Sequence, residues 1–302
     1  YLVKGTKSAL LIDAGMAPAD ADDLYAYACK LAGTKEVDLY ISHGHPDHTQ
    51  QIGDFVKAGR KVYINEKDIP MAIAGIKDET VKNSLTEKNF TCIEEGYQFD
   101  LGGVKLDNYD VPGHTPGSMV LLDKEHNILY SSDQLGCNRR SVADSLTLVK
   151  NDVRVLLSSL RIFRDKVTAL DAAGKIDLDK LVVWSGHDDY EIKDLTGHLD
   201  TLIEAAQNIV DYGPDKAMRD SLRNTGGSDG ASYAGDRYAN NGTGHFVCMN
   251  GSKKDVLADE NYTAVDELAN LKVTVSDETE NKLCDISNIH QINSKNMYAI
   301  RM

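Results

Sequence analysis

Residues 43–48 read His-Gly-His-Pro-Asp-His, which sets three imidazoles and a carboxylate into six positions. They come after Val37-Asp38-Leu39-Tyr40-Ile41, an apolar run with the character of a strand. Neutral imidazole and carboxylate are the ligands that zinc and related divalent metals prefer. Crowding them at a strand end requires something that offsets desolvation and mutual repulsion, and a bound metal does so. The bland alternative is a chance surface cluster. The remainder of the chain decides between the two.

Three more polar residues recur in one setting, a short apolar run that ends on the polar group beside a small residue. His114 sits in Val111-Pro112-Gly113-His114-Thr115-Pro116-Gly117-Ser118, Asp133 ends Ile128-Leu129-Tyr130-Ser131-Ser132-Asp133, and His187 ends Leu181-Val182-Val183-Trp184-Ser185-Gly186-His187. Side chains at strand ends can converge on one edge of a sheet, where layered α/β architectures bind their ligands. A lone aspartate after a strand is usually a turn residue, so the constellation is more specific than its pieces.

His43-x-His45-x-Asp47-His48, followed in order by His114, Asp133 and His187, resembles the metallo-β-lactamase superfamily. Ala9-Leu10-Leu11-Ile12-Asp13-Ala14-Gly15 is similar to that family's strand-plus-Asp-Gly signature, and the resemblance covers about residues 1–212. It implies an αββα sandwich with a dinuclear metal site between two sheets. By the family pattern His43, His45 and His114 hold the first metal, Asp47, His48 and His187 hold the second, and Asp133 bridges both. The metals implied are two divalent ions, zinc first, with iron or manganese as alternatives. Asp13 is expected to orient the histidine loop rather than bind metal. The family domain normally opens with a strand or two before Tyr1-Leu2-Val3, so this chain is expected to begin inside the first sheet. Ser132 stands where many relatives carry glycine, a departure expected to be tolerated.

The 302 residues suffice for a sizeable core, and 41% hydrophobic with 26% charged residues is the composition of a soluble globular protein. No apolar run approaches the ~20 residues that span a bilayer. The formal net charge of −14 weighs against nucleic acid, whose binding draws on clustered Lys and Arg. A small-molecule substrate is the partner expected, and oligomeric state stays open. Five scattered cysteines form no CxxC pair or disulfide framework, so a cytoplasmic and a secreted location both stay open.

Strands are expected at 8–12, 37–41 and 61–65, and helices at 18–31 and 48–58, the alternation of an α/β unit. Segment 66–90 reads as helical with Pro70, Met71, Ile73 and Ile76 on its apolar side. From 90 to 130 short strands and tight turns follow, including a Gly102-Gly103 hairpin. Helices at 151–165 and 192–211 flank a strand at 181–185. Residues 224–244 read as a loop, 246–249 as a strand returning to the sheet, and 255–302 as a β-rich C-terminal extension of a catalytic domain spanning 1–254.

Arg139 and Arg140 are candidates to hold an anionic substrate group, with a solvated loop pair as the bland alternative. Tyr190 is a candidate oxyanion donor on proximity alone. Ser118 lacks the Gly-x-Ser-x-Gly elbow of a serine nucleophile. His126, His198, His245 and His290 read as surface or structural. The resemblance implies a hydrolase in which a dinuclear metal site activates hydroxide and Asp47 handles the water proton. A small ester, thioester or lactone is the substrate class expected, as in glyoxalase II-like thioesterases and lactonases. A phosphodiesterase or phosphorylcholine esterase is the runner-up. A diiron oxygen-reducing protein is the reading from another class; His45 argues against it, because that group usually carries glutamate there.

Overall fold

A computed structural model describes residues 1–16, 23–135, 137–139, 142–149, 153–186, 191–212, 236–239 and 246–249. It divides into two compact units, Tyr1–Ser132 and the part that begins at Asp133.

The first unit opens with strands β1 (Leu2–Lys4) and β2 (Ala9–Ile12), which pair antiparallel. Strands β3 (Val37–Tyr40), β4 (Val62–Ile64) and β5 (Thr91–Cys92) then add in parallel, in the order β1-β2-β3-β4-β5. Period-2 alternation makes this sheet two-sided. Ala9, Leu39, Val62 and Ile64 face a core with Ala28, Ala32, Ile52, Phe55, Ile69 and Ala72 of the helices. Leu10, Ile12, Tyr40 and Tyr63 face the opposite way. There they meet Phe99, Leu106, Met119 and Leu121 of a second, antiparallel sheet. That sheet runs β6 (Gln98–Asp100), β7 (Lys105–Asp110), β8 (Met119–Asp123) and β9 (Ile128–Ser132), each paired with the next. Gly102 and Gly103 turn β6 into β7 at φ 84° and 78°, where side chains other than glycine are strained.

Helix α1 (Leu24–Ala32) is capped by Asp23, whose side chain accepts from the Ala26 N–H, and it closes on left-handed Gly33. The expected start near Pro18 falls on residues outside the described set. The single helix expected over 48–58 is two, α2 (Pro46–Thr49) and α3 (Ile52–Lys57). Segment 66–90 contains α4 (Ile69–Gly75) and α5 (Glu79–Ser84). Of the side expected to be apolar, Ile76 is buried, Ile73 packs against the core and Met71 is half-buried, while Pro70 is exposed and Ile69 and Ala72 are buried in addition.

The second unit pairs β10 (Cys137–Arg139), β11 (Val142–Val149), β15 (Phe246–Met249) and β14 (Asp236–Ala239) in that order. It also contains helices α6 (Val153–Ala172) and α7 (Leu195–Tyr212), and a pair formed by β12 (Val182–Ser185) and β13 (Glu191–Ile192). Strands β10 and β11 have no counterpart in the sequence reading, and β14 falls inside the stretch read as a loop. The strand expected at 246–249 is present, and it pairs with β11 and β14. Residues 255–302 lie outside the described set. Among the described residues no helix is long and apolar enough to cross a membrane.

Candidate metal centre

Parallel strands end on one edge, so β2, β3 and β4 deliver Asp13, the Ser42–His48 loop and Asp68 to the same side. Strands β7 and β9, both antiparallel to β8, end together and present the His114 loop and Ser132. The Met119 N–H donates to the Ser42 carbonyl at 2.9 Å and joins the two sheets at this edge.

His43 and His114 are buried, and His45 is half-buried. Nε2 of His114 lies 2.9 Å from Nδ1 of His45 and 3.1 Å from Nε2 of His43. A ring nitrogen offers either one proton or one lone pair, so no tautomer of His114 satisfies both neighbours. A divalent cation accepting three lone pairs at ~2.0–2.1 Å does. One ligand atom from each ring lies within 4.8 Å of the others, an arrangement that can hold a metal ion. The donor set fits the metal.

Asp13 lies behind this cluster. Its Oδ1 accepts from the Ser42 N–H at 2.8 Å, and its Oδ2 accepts from the Ser42 hydroxyl at 2.9 Å. Nδ1 of His48 is 2.8 Å from the same Oδ2. A carboxylate can only accept, so His48 carries its proton on Nδ1 and keeps a lone pair on its buried Nε2. The Ser42 Oγ stands 3.0 Å from Nδ1 of His43, which fixes that ring in the same sense. Asp13 adopts φ 65° and Ser132 φ 47°, the left-handed region that favours glycine. At Ser132 the hydroxyl offsets the strain by donating to Asp13 at 3.1 Å. This is the physical content of the serine-for-glycine departure.

Asp68 is absent from the residues that the sequence singles out. It is fully buried, and it accepts from Gly44 N–H and Gly117 N–H, each at 2.7 Å, and from the Thr115 hydroxyl. Burial pushes its pKa up, and the donated hydrogen bonds pull the other way. Its only local signal is that of a helix cap before Ile69. Ser118 accepts from the Thr115 N–H at 2.9 Å and closes the His114 loop, a structural task rather than nucleophilic chemistry. At the base of that loop burial pushes the Asp110 carboxyl up to about 6, with Glu95 adding to the shift.

Asp47 lies in α2 with its side chain a third exposed, 3.8 Å from Nε2 of His48. Asp133 is buried at the start of the second unit. Arg139 ends β10, and its side chain lies outside the described set, as do His187, Arg140 and Tyr190. His198 is buried and donates to the Leu135 carbonyl, which makes it structural.

The family model of the metallo-beta-lactamase superfamily matches residues 1–170. An acyl-coenzyme A thioesterase of Gallus gallus is 27% identical over 154 residues, covering 44% of this chain and 56% of the relative. A hydroxyacylglutathione hydrolase of Roseobacter denitrificans is 24% identical over 148 residues, covering 47% of this chain and 53% of the relative. The chain thus spans about half the length of these curated relatives. A metallo-beta-lactamase family protein of Thermus thermophilus superposes with TM-score 0.51 at 20% identity, over 72% of this chain and 76% of that one. A metallo-beta-lactamase of Pontibacter korlensis gives TM-score 0.50 at 19% identity, over 68% and 86%. Likeness at this identity establishes the fold, the α/β sandwich that the sequence implied.

Proposed function

Because this chain belongs to the metallo-β-lactamase superfamily, we propose that it is a metal-dependent hydrolase of a small thioester, ester or lactone. The observation that carries the reading is the convergence of His43 Nε2, His45 Nδ1 and His114 Nε2, which no imidazole tautomer resolves and a cation does. In this reading those three hold one divalent ion. Asp47, His48 and His187 would hold a second, with Asp133 as a ligand shared by both. Zinc is the first choice for such a nitrogen and oxygen set. A metal held there would supply Lewis acidity, lowering the pKa of a bound water toward ~7.

The chain's own residues do the rest. Asp13 holds His48 in one tautomer and, through Ser42, sets His43. Asp47, part-exposed beside His48, takes the proton released as water adds to the carbonyl carbon, and that proton passes to the sulfur or oxygen that departs when the C–S or C–O bond breaks. The thioester is placed first because two relatives are named for thioester hydrolysis or glutathione-linked acyl cleavage. The net charge of −14 disfavours a polyanionic substrate.

The test is elemental analysis of the full chain, followed by a panel of thioesters, esters, lactones and phosphodiesters. Bound divalent metal and turnover of a carbonyl substrate are expected. Asp47→Asn should leave the fold intact and lower turnover by roughly 10²–10⁴-fold. Metal-free protein that still hydrolyses overturns the metal reading. Cleavage of phosphodiesters alone overturns the substrate class.

A further inference from the structure

Asp68 precedes helix α4 at the position where an aspartate ordinarily accepts from the first N–H groups of its own helix. Its side chain makes no such cap bond. Oδ2 accepts instead from the Gly44 N–H at 2.7 Å and from the Thr115 hydroxyl, and Oδ1 accepts from the Gly117 N–H at 2.7 Å. Gly44 lies between His43 and His45, while Thr115 and Gly117 follow His114. One carboxylate therefore joins the two loops that present the three converging imidazoles.

The glycines match this approach. A Cβ at Gly44 would stand 2.8 Å from the Asp68 carbonyl oxygen, and one at Gly117 would stand 2.8 Å from the Asp68 Cγ. Neither loop backbone could come so near the carboxylate with a side chain in that space. A charged acceptor matched to three donors gives short, directional bonds. An amide in its place would turn an N–H against one of the N–H donors.

We propose that Asp68 is a positioning residue of the metal centre, setting the separation between the His43/His45 loop and the His114 loop. The proposal rests on the metal-binding reading of those histidines. Two variants test it, Asp68→Asn, and Gly117→Ala, which keeps the carboxylate and displaces it. Asp123→Asn is the comparator, because Asp123 is also buried but holds the β8–β9 turn through the N–H groups of Glu125 and His126.

Zinc affinity is read by chelator competition, ligand geometry by the visible spectrum of the cobalt(II) form, and stability by thermal unfolding of metal-free protein. Asp68→Asn and Gly117→Ala should weaken zinc binding on the order of 10–100-fold and alter the cobalt spectrum. Asp123→Asn should lower the unfolding temperature and leave both metal readouts at wild type. Wild-type affinity and spectrum in the two test variants would overturn the proposal, however much stability they lose. If Asp68→Asn does not fold, Gly117→Ala decides alone. Wild-type protein that binds neither ion overturns the metal reading itself. The Gly44 amide proton shift of metal-free protein then decides for Asp68: a shift that moves in the Gly117→Ala variant sustains the joint, and an unmoved shift overturns it.

Discussion

The two flanks of the histidine loop are each held by a buried or near-buried aspartate, and the two aspartates act on different parts of it. Asp13 reaches side chains: Nδ1 of His48, and the Ser42 hydroxyl that in turn meets Nδ1 of His43. Asp68 reaches the backbone N–H groups of Gly44 and Gly117 and the hydroxyl of Thr115. The first flank decides which ring nitrogen is a lone pair. The second decides where the rings stand. A metal centre needs both, because affinity depends on ligand tautomer and on ligand spacing.

The largest effect that could break this comparison is expected at Asp13. In Asp13→Asn an Nδ2 donor can face the Nδ1–H of His48, forcing that ring into the other tautomer or out of place. Zinc affinity should fall about 100-fold, and the metal-free protein should lose about 2 kcal/mol in urea unfolding, since hydrogen bonds to a charged acceptor are lost. An affinity unchanged from wild type would show that tautomer control is not the task of this flank.

A smaller effect, on the same flank, separates strain from bonding at Ser132. Ser132→Gly gives up the hydroxyl's bond to Asp13, worth about 1 kcal/mol, and relieves a left-handed φ that costs about as much. The net change in stability should stay within about 0.5 kcal/mol. Ser132→Ala loses the bond and keeps the strain, so it should be the less stable of the two by about 1 kcal/mol. Equal stability of the two variants would mean that φ 47° at this position stores no strain.

The smallest effect is expected away from both flanks. His126 pairs with Asp123 at 2.8 Å, but half of its side chain is exposed and the turn keeps its backbone bonds to Asp123. His126→Ala should change stability by less than about 1 kcal/mol and leave hydrolysis at wild type. A loss of turnover like that of Asp47→Asn would place the site elsewhere.

The histidine hexapeptide, the His114 loop and Asp13 were legible because each follows a strand, apolar at Ala9–Ile12 and alternating at Lys105–Asp110, that local pattern reveals. The strands themselves were legible for a related reason: Ala9-Leu10-Leu11-Ile12 is a short, unbroken apolar run closed by Asp13-Ala14-Gly15, the length and punctuation of a strand buried on both faces. Strands β10 and β11 escaped because Cys137–Arg139 and Val142–Val149 mix polar and apolar residues without a clean period.

What the chain's own letters determined is the chemistry on offer: which side chains can bind metal, and that they sit at strand ends. Tertiary structure alone decided who holds them. Asp68 meets Thr115 and Gly117 across 47 and 49 residues, and Ser42 meets Ser132 across 90. Local sequence carries no record of such partners, since an aspartate before a helix looks the same whether it caps that helix or turns away. The choice is made when β4 and β7 bring their loops to one edge, where a buried carboxylate takes the N–H donors that would otherwise be left unpaired.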